Sequence, residues 1–406
     1  MSSLAGVRVL DLSRVFSGPW ASQMLADFGA DVIKVERPGR GDDVRQQGLR
    51  VRNSEGEDTA ETSSFIAMNR GKRSITVDIA KPEGQALIRD IALASDIVLE
   101  NFKAGDLARY GLDPASLLQV NPKLIYCSIS GFGQTGPYSH LPGYDPIFQS
   151  MSGLMSITGH GDGEPGGGPM RVGYSVGDIT AGFYAVSAIL AALRHRDMVS
   201  GQGQHIDLSL LDAQVAAISH VAMMYLVSGN QPPRLGNASP ITCPWQSFEC
   251  QDGQIVIAVG NDTQFKAFCD VLGLPGLARD PRFLTNPLRA RNRLELVPML
   301  EVPFKSRSVS AWYEAFDAAG VPSGPINNFA QVFEDPQIKH REVLMHMPHA
   351  SAGSVPQVAN PVKFSRTPVQ YHRAPPVLGE HTVEVLREVL GLDERRIADL
   401  QDGRVI

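Results

Sequence analysis

The chain has only four cysteines, Cys127, Cys243, Cys250 and Cys269, and no two of them stand in a CxxC spacing. That scarcity excludes a disulfide-stapled scaffold and a cysteine-ligated structural zinc, and it predicts buried thiols in a reducing compartment. The ten histidines form no HExxH pair, and His346 and His349 flank a proline in a loop-like stretch, so no metal site is expected. Basic charge is also short. Lysine and arginine total 37 against 43 acids, a net charge of −6, where a nucleic-acid partner would call for a basic face or tail. No apolar run reads as reaching the roughly 18 residues of a membrane span, so no membrane partner is expected. A strand-like segment opening at Val7 leaves no room for a signal or transit peptide. A soluble, cytoplasmic protein is the expectation.

What is present is enough for real cores. The 406 residues are 43% hydrophobic, which suits two domains at roughly 150 residues each. The 39 glycines and 28 prolines punctuate them with sharp turns. Val7–Leu12 reads as a buried strand. Pro19 opens a helix to about Phe28, and Gly29 suits its left-handed end. Val32–Glu36 is the next strand. The pattern repeats with strand Arg73–Asp78, helix Pro82–Ala94, strand Ile97–Glu100, a short helix from Pro114 and strand Leu124–Ile129. Alternation of this kind implies a parallel sheet covered on both faces, with ligands beyond the carboxyl ends of its strands. A helix over 179–194, strand Gln204–Leu208 and a helix Leu210–Val227 follow. A break at Gly229–Pro240 leads into a smaller region. There a hairpin turns on Asp252-Gly253, and helices follow near Thr263–Leu272, Arg289–Val297 and Ser310–Ala319. The expected division is 1–228, 229–325 and a returning segment 326–406, which ends in a helix near Thr382–Leu390.

One carboxylate stands out. Asp178 follows Gly177 and opens the most apolar helix-like run, after the loose Gly159–Gly168 loop. As a helix N-cap it would accept the free N–H groups of the first turn. The helix dipole would also favour its ionised form, and glycine beside it opens space for a nucleophile. Two other patterns compete for attention. Gly131–Gly136 fits GxGxxG, but Pro137 and Leu141-Pro-Gly143 interrupt the helix that a dinucleotide fingerprint requires. Arg14, Arg37, the Arg70-Gly-Lys-Arg73 cluster and Arg109 recur at loop ends. They read either as a solvated face or as one basic rim for a phosphate-rich ligand.

Several blocks together resemble the class III CoA-transferases, the formyl-CoA transferase and carnitine CoA-transferase family, over nearly the whole chain. They are Val9-Leu-Asp-Leu-Ser-Arg-Val-Phe-Ser-Gly-Pro19, Leu25-Ala-Asp-Phe-Gly-Ala-Asp-Val-Ile-Lys-Val-Glu36 and Asn69-Arg-Gly-Lys-Arg-Ser74. Further blocks are Glu100-Asn-Phe102, the stretch Tyr126–Pro137, Gly143-Tyr-Asp145 and Leu378-Gly-Glu-His-Thr382. The resemblance implies a Rossmann-like large domain plus a smaller α+β domain, in a homodimer of interlocked rings. It puts Asp178 in the place of the nucleophile, and Arg37, Lys72, Asn101, Phe102 and Arg109 around the CoA site, with Asp106 and Tyr144 added to that set. Arg14, Val15, Phe16 and Ser17 form the first loop, which in the family passes close to the cofactor. Arg14 and Phe16 stand where formyl-CoA transferase has histidine and glutamine, which argues against oxalate and formate. Gly236-Asn-Ala238 lies near the family's mobile glycine loop, with one glycine only.

The reaction so implied moves CoA from an acyl-CoA donor such as succinyl-CoA to a free carboxylic acid through an aspartyl-CoA thioester. CoA enters as substrate, with no permanently bound cofactor. Backbone N–H groups around Gly177 and Ile179 are the expected donors to the tetrahedral intermediates. Family breadth, and Arg14 as a clamp for a second carboxylate, point to a dicarboxylate acceptor. The α-methylacyl-CoA racemases share the fold and are the alternative. They carry a histidine base where this chain has Tyr144, a phenol poorly suited to base work near pH 7, though His140 and His160 stand nearby in sequence. A CoA-binding scaffold without turnover is the non-enzymatic reading.

Overall fold

The computed structural model describes residues 2–406. They fall into two compact units. The first comprises residues 2–152, Val172–Ser219 and Pro336–Ile406; the second comprises Gly153–Arg171 and His220–Asp335. The division therefore differs from the expected 1–228, 229–325 and 326–406. The Gly-rich stretch belongs with the second unit, and the expected helix Leu210–Val227 is two helices, Leu210–Ala217 and Ser219–Ser228, with Ile218 between them.

The first unit is built on six strands: β1 (Arg8–Asp11), β2 (Asp31–Glu36), β3 (Lys72–Thr76), β4 (Ile97–Glu100), β5 (Ile125–Ser130) and β6 (Gln204–Ser209). They pair in the order β3-β2-β1-β4-β5-β6, every neighbour parallel. Val9 lies level with Val32 on one side and Ile97 on the other. Burial on both faces explains the unbroken apolar runs: all four residues of β4 and all six of β5 are buried. The order reverses between β1 and β4, which opens a crevice beyond their carboxyl ends.

Helices α1 (Ser17–Asp27), α4 (Asp145–Met151), α5 (Val176–His195) and α6 (Leu210–Ala217) pack on one face. The other face carries α2 (Pro82–Leu93), α3 (Pro114–Val120), and α7 (Thr382–Leu390) and α8 (Glu394–Asp402) from the returning segment. Prolines sit at the first helical position of α2 and α3, where a missing N–H costs nothing, and Asp113 caps α3. Gly29, at φ +101°, ends α1 as expected. Helix α8 and the antiparallel hairpins Arg50–Thr62 and Leu344–Val358 lie outside the sequence expectations.

Helix α5 runs on through a π-helical turn at Arg196–Ser200. The 25-residue helix Val176–Ser200 is long and apolar enough to cross a membrane by length and composition, with a mean hydropathy of 1.6 over an 18-residue stretch. The reading that no run reaches that length is thus corrected. Ala181, Ala185, Ile189 and Leu193 on this helix are buried in the sheet-facing core, as in a core helix of a folded domain. It approaches α1 closely at Gly182, where a Cβ would stand 2.9 Å from the Trp20 ring and 3.1 Å from the Ser17 carbonyl.

In the second unit, Trp245–Glu249, Gln254–Ala258 and Ser323–Pro325 form an antiparallel sheet with 254–258 in the middle. Helices Asp262–Val271, Asn286–Arg291, Arg293–Phe304 and Val309–Ala318 accompany it. The expected single helix Arg289–Val297 is thus two, meeting at Asn292. Its core is aromatic, with Phe248 stacked on Phe304 at 4.4 Å and Phe316 on Trp312 at 5.6 Å. Within the same unit the Gly236 N–H donates to the Gly159 carbonyl at 2.9 Å, and Arg234 pairs with Asp162.

Candidate active site

The loop after β1 is pinned from below and from the side. Asp11 Oδ1 accepts the N–H (2.9 Å) and hydroxyl (2.5 Å) of Ser13, while its Oδ2 takes the Ser22 hydroxyl (2.5 Å) and Lys72 Nζ (3.2 Å). Lys34 Nζ donates to the Ser13 carbonyl (3.0 Å) and to Asp42 (2.8 Å), and Asp42 in turn accepts the Val15 N–H (3.1 Å). Asn101, just past β4, bonds both the N–H and the carbonyl of Arg14, at 2.8 and 2.7 Å. Val15 is held at φ +68°, a left-handed conformation that a β-branched residue adopts only where its surroundings impose it.

This network corrects one expectation outright. Lys72 is fully buried beneath the loop, spending its protons on Asp11, the Pro19 carbonyl and Asn69 (2.8 Å). It lines neither of the two cavities that open from the crevice. Burial pushes its pKa down to about 8 against the pull of Asp11. Burial alone would raise the Asp11 carboxyl, but Lys72, Lys34 and the two serine hydroxyls outweigh it and hold it low. Arg70 and Arg73 are likewise structural, paired with Asp27 (2.6 Å) and Asp31 (2.5 Å) respectively.

Two cavities open from the crevice. One, of about 240 Å³, is lined by Arg14, Val15, Ser17, Asn101, Phe102, Tyr144 and Asp178 among others. The other, of about 290 Å³, has Leu12, Val35, Val77 and Ile79 as its apolar wall and Arg37, Arg109 and Tyr110 on its lining. Arg14 and Phe102 line both. Of the expected site residues, Phe16, Lys72 and Asp106 line neither, and nor does His140. Among the described residues no group of three or more histidine, cysteine, aspartate or glutamate side chains could hold a metal ion.

Asp178 is not the N-cap. Ser175 holds that position, and Asp178 lies in the first turn of α5. The capping is done by Asp145, at the start of α4, whose Oδ1 accepts the Gly177 N–H (2.7 Å) and the Asp178 N–H (3.4 Å). Its Oδ2 takes the Gln149 amide at 2.6 Å, and Gln149 also accepts the Val172 N–H at 2.8 Å. Gly177 leaves room for this contact: a Cβ there would meet Asp145 Oδ1 and Gln214 Oε1, each at 2.9 Å, and would displace the capping carboxylate. The N–H groups expected to serve intermediates are therefore engaged, Gly177 by Asp145 and Ile179 by the Ser175 carbonyl at 3.1 Å. Those of Ser17 and Gly18, in the first turn of α1, have no acceptor among the described residues, and Ser17 lines the cavity that holds Asp178.

Burial, and then the neighbouring Asp145 carboxylate, push the Asp178 carboxyl up to about 7. The helix-terminus argument for an ionised group is outweighed, and Asp178 is poised between its two forms near neutral pH. Glu100, which accepts the Phe102 N–H at 2.7 Å, is also raised to about 7 by burial.

Residues 4–382 match the model of CoA-transferase family III. The chain belongs to that family. This family III CoA-transferase is 48% identical over 387 residues to the succinate–glutarate CoA-transferase of Agrobacterium fabrum, with 95% of each chain covered. It is 40% identical over 403 residues to the human succinyl-CoA:glutarate CoA-transferase, covering 99% of this chain and 90% of the relative. Among solved structures, a CAIB/BAIF family protein from Brucella suis superposes with a TM-score of 0.84 at 42% identity, covering 96% of this chain and 99% of the other. The enzyme is thus a CoA-transferase, and CoA thioesters are its substrates.

The Asp145 contact is the site feature missing from the sequence expectations, although the Gly143-Tyr-Asp145 block marked the spot. Asp145→Asn keeps an acceptor for Gly177 but removes the second negative charge. The acid limb of kcat/KM for CoA exchange should then move down by about one pH unit. A pH profile that does not move would contradict this account of the Asp178 pKa.

Proposed function

We propose that the enzyme transfers CoA from succinyl-CoA, or a donor like it, to a dicarboxylic acid such as glutarate, with Asp178 as nucleophile. The observation that carries this reading is Asp178 lining one cavity with the pinned first loop, next to a second cavity whose rim holds Arg37 and Arg109. Names of the similar proteins, among them a citramalate and a mesaconate CoA-transferase, support succinyl-CoA and dicarboxylates as the substrate classes.

The ionised Asp178 attacks the donor thioester carbonyl, giving a mixed anhydride and the CoA thiolate. The thiolate returns to the aspartyl carbonyl, forms the aspartyl-CoA thioester and releases the donor acid. The acceptor carboxylate attacks that thioester, and the same two steps run backwards to give the new acyl-CoA and free Asp178. A carboxylate with a pKa near 7 is a stronger nucleophile than an ordinary one, while still being available at neutral pH. The free N–H groups of Ser17 and Gly18 take the oxyanion role that the α5 groups cannot. Leu12, Val35 and Ile79 would receive the adenine, with Arg37 and Arg109 at its phosphates.

Tyr144 is 74% exposed on the rim of the Asp178 cavity, which suits substrate contact rather than the proton abstraction of a racemase. We infer an interlocked homodimer as the working form, supported by exposed Phe183, Tyr184, Met198 and Val199 along and just after α5. The four free thiols accord with a cytoplasmic setting.

The test is a panel of free acids offered with succinyl-CoA, together with hydroxylamine trapping of the enzyme in the absence of acceptor. Dicarboxylates should accept CoA, and trapping should leave a hydroxamate at Asp178. Solvent-deuterium exchange into a 2-methylacyl-CoA without any CoA transfer would overturn the reading.

A further inference from the structure

Arg14 is an arginine with most of its fork unused. Its backbone is fixed by Asn101, and its guanidinium lies 5.0 Å over the Phe102 ring, so it does not need a partner to be held in place. Of its five N–H donors only Nη1 finds an acceptor, Asp43 Oδ2, at a long 3.3 Å. Nε is buried without a partner, and Nη2 has none among the described residues. The side chain is 28% exposed, so it is the buried Nε that is unusual, because buried donors normally find acceptors.

The one carboxylate that Arg14 does meet is not its own. Asp43 is shared, through its other oxygen, with Arg40 at 3.5 Å, so two guanidiniums face one carboxylate. Exposed Lys103, which makes no ion pair among the described residues, lines the same cavity. Elsewhere on that lining stand Asp178 and Asp145. The lining thus carries two cations, Arg14 and Lys103, among three acids, Asp43, Asp145 and Asp178, and Arg14 has only the long contact to Asp43. A substrate with a carboxylate at each end of a short chain suits that arrangement, one reacting at Asp178 while the other takes the vacant fork.

We propose that Arg14 is the specificity-determining residue that selects dicarboxylic over monocarboxylic acids, by accepting the substrate's distal, non-reacting carboxylate on its free guanidinium edge. This rests on the reading of Asp178 as the nucleophile that exchanges acids. The clamp acts on donor and acceptor alike, since both pass through one cavity. In a double-displacement reaction, however, kcat/KM for the acceptor reports only the half-reaction that begins from the aspartyl-CoA enzyme. An acceptor comparison is therefore free of any effect on the donor.

The experiment compares glutarate with valerate, which has the same five carbons and lacks only the distal carboxylate, as acceptors from succinyl-CoA. The wild-type enzyme should favour glutarate by about 10- to 100-fold in kcat/KM, as expected for a bidentate charge-assisted contact. Arg14→Gln should bring the ratio to within about threefold, with the loss falling on glutarate, mainly as a raised KM, far more than on valerate. Arg14→Lys should fall between, because it keeps the charge but not the fork. Asp43→Asn, which frees Nη1, should lower the KM for glutarate. Equal wild-type rates with the two acids, a ratio unaffected by Arg14→Gln, or parallel loss of both substrates in that variant would each overturn the inference and leave the transfer reaction standing. Failure of the wild-type enzyme to use any acid would remove the underlying reading as well.

Discussion

Asp178→Ala should abolish CoA exchange, with kcat falling by about 10³-fold or more, because the other two acids on the lining are already engaged, Asp145 by the Gly177 N–H and the Gln149 amide and Asp43 by Arg14 and Arg40. Asp178→Asn is the sharper variant, since it keeps the shape and removes only the nucleophilic charge. Exchange between succinyl-CoA and a free acid measures the loss, and mass spectrometry after hydroxylamine shows whether a covalent species forms. An exchange rate within tenfold of wild type would sink the assignment. The same substitution should move stability in the opposite direction. The folded pKa of about 7 lies above the ordinary 3.8, so the folded chain holds a proton that the unfolded chain releases between those values. Stability from this carboxyl is complete below about pH 4 and is lost as pH rises through 7. Asp178→Asn should therefore be more stable than wild type at pH 8, by about 1–2 kcal/mol after allowance for solvent at a half-buried group. That advantage should fade towards pH 4. The active site is paid for in stability, which is common where a charge is kept ready in a partly dry cavity.

Much of this site was readable in the chain because it depends on local pattern. The strands ending at Asp11, Glu36 and Glu100 declare themselves by apolar runs and flanking helices, and strand ends are where an open sheet binds its ligands. Arg14, Arg37 and Arg109 stand out that way, Asn101 and Phe102 come from the family resemblance, and all five line the cavities. What could not be read was the direction of a charge. Lys72 and Arg73 belong to the same basic cluster as loop residues, yet β3 begins at Lys72 and carries them into the sheet. Whether a lysine there faces water or an acid is decided by Asp11, two strands away and 61 positions back in sequence. Asp145 poses the same problem. It caps a helix that starts 31 residues later, at Val176, and such a contact leaves no trace in local periodicity. Asp178 itself lines the cavity but is not the N-cap that the local sequence suggests. The cap belongs to its neighbour, and the acid is free for chemistry because Asp145 has taken over the N–H groups.

Lys72→Met separates the two views of that cluster. Were Lys72 a contact to CoA phosphates, its loss would raise the KM for the acyl-CoA and leave the fold unchanged. In the structure it lies under the first loop, donating to Asp11, Asn69 and the Pro19 carbonyl with no solvent to replace it. Removing one partner of a buried pair strands the other, at a cost of about 3–5 kcal/mol, and here three acceptors lose a donor together. The thermal midpoint should drop by about 10 °C for a unit of this size. An apolar methionine fills the volume, so the loss reflects charge and hydrogen bonding rather than a cavity. Asp11→Asn in the same background should recover part of it, because the stranded carboxylate is then gone. This coupling marks a buried pair, and a surface ligand to phosphate would lack it. A midpoint within about 1 °C of wild type, together with a tenfold higher KM, would return Lys72 to the substrate site and remove the buried network as the support for the Arg14 loop.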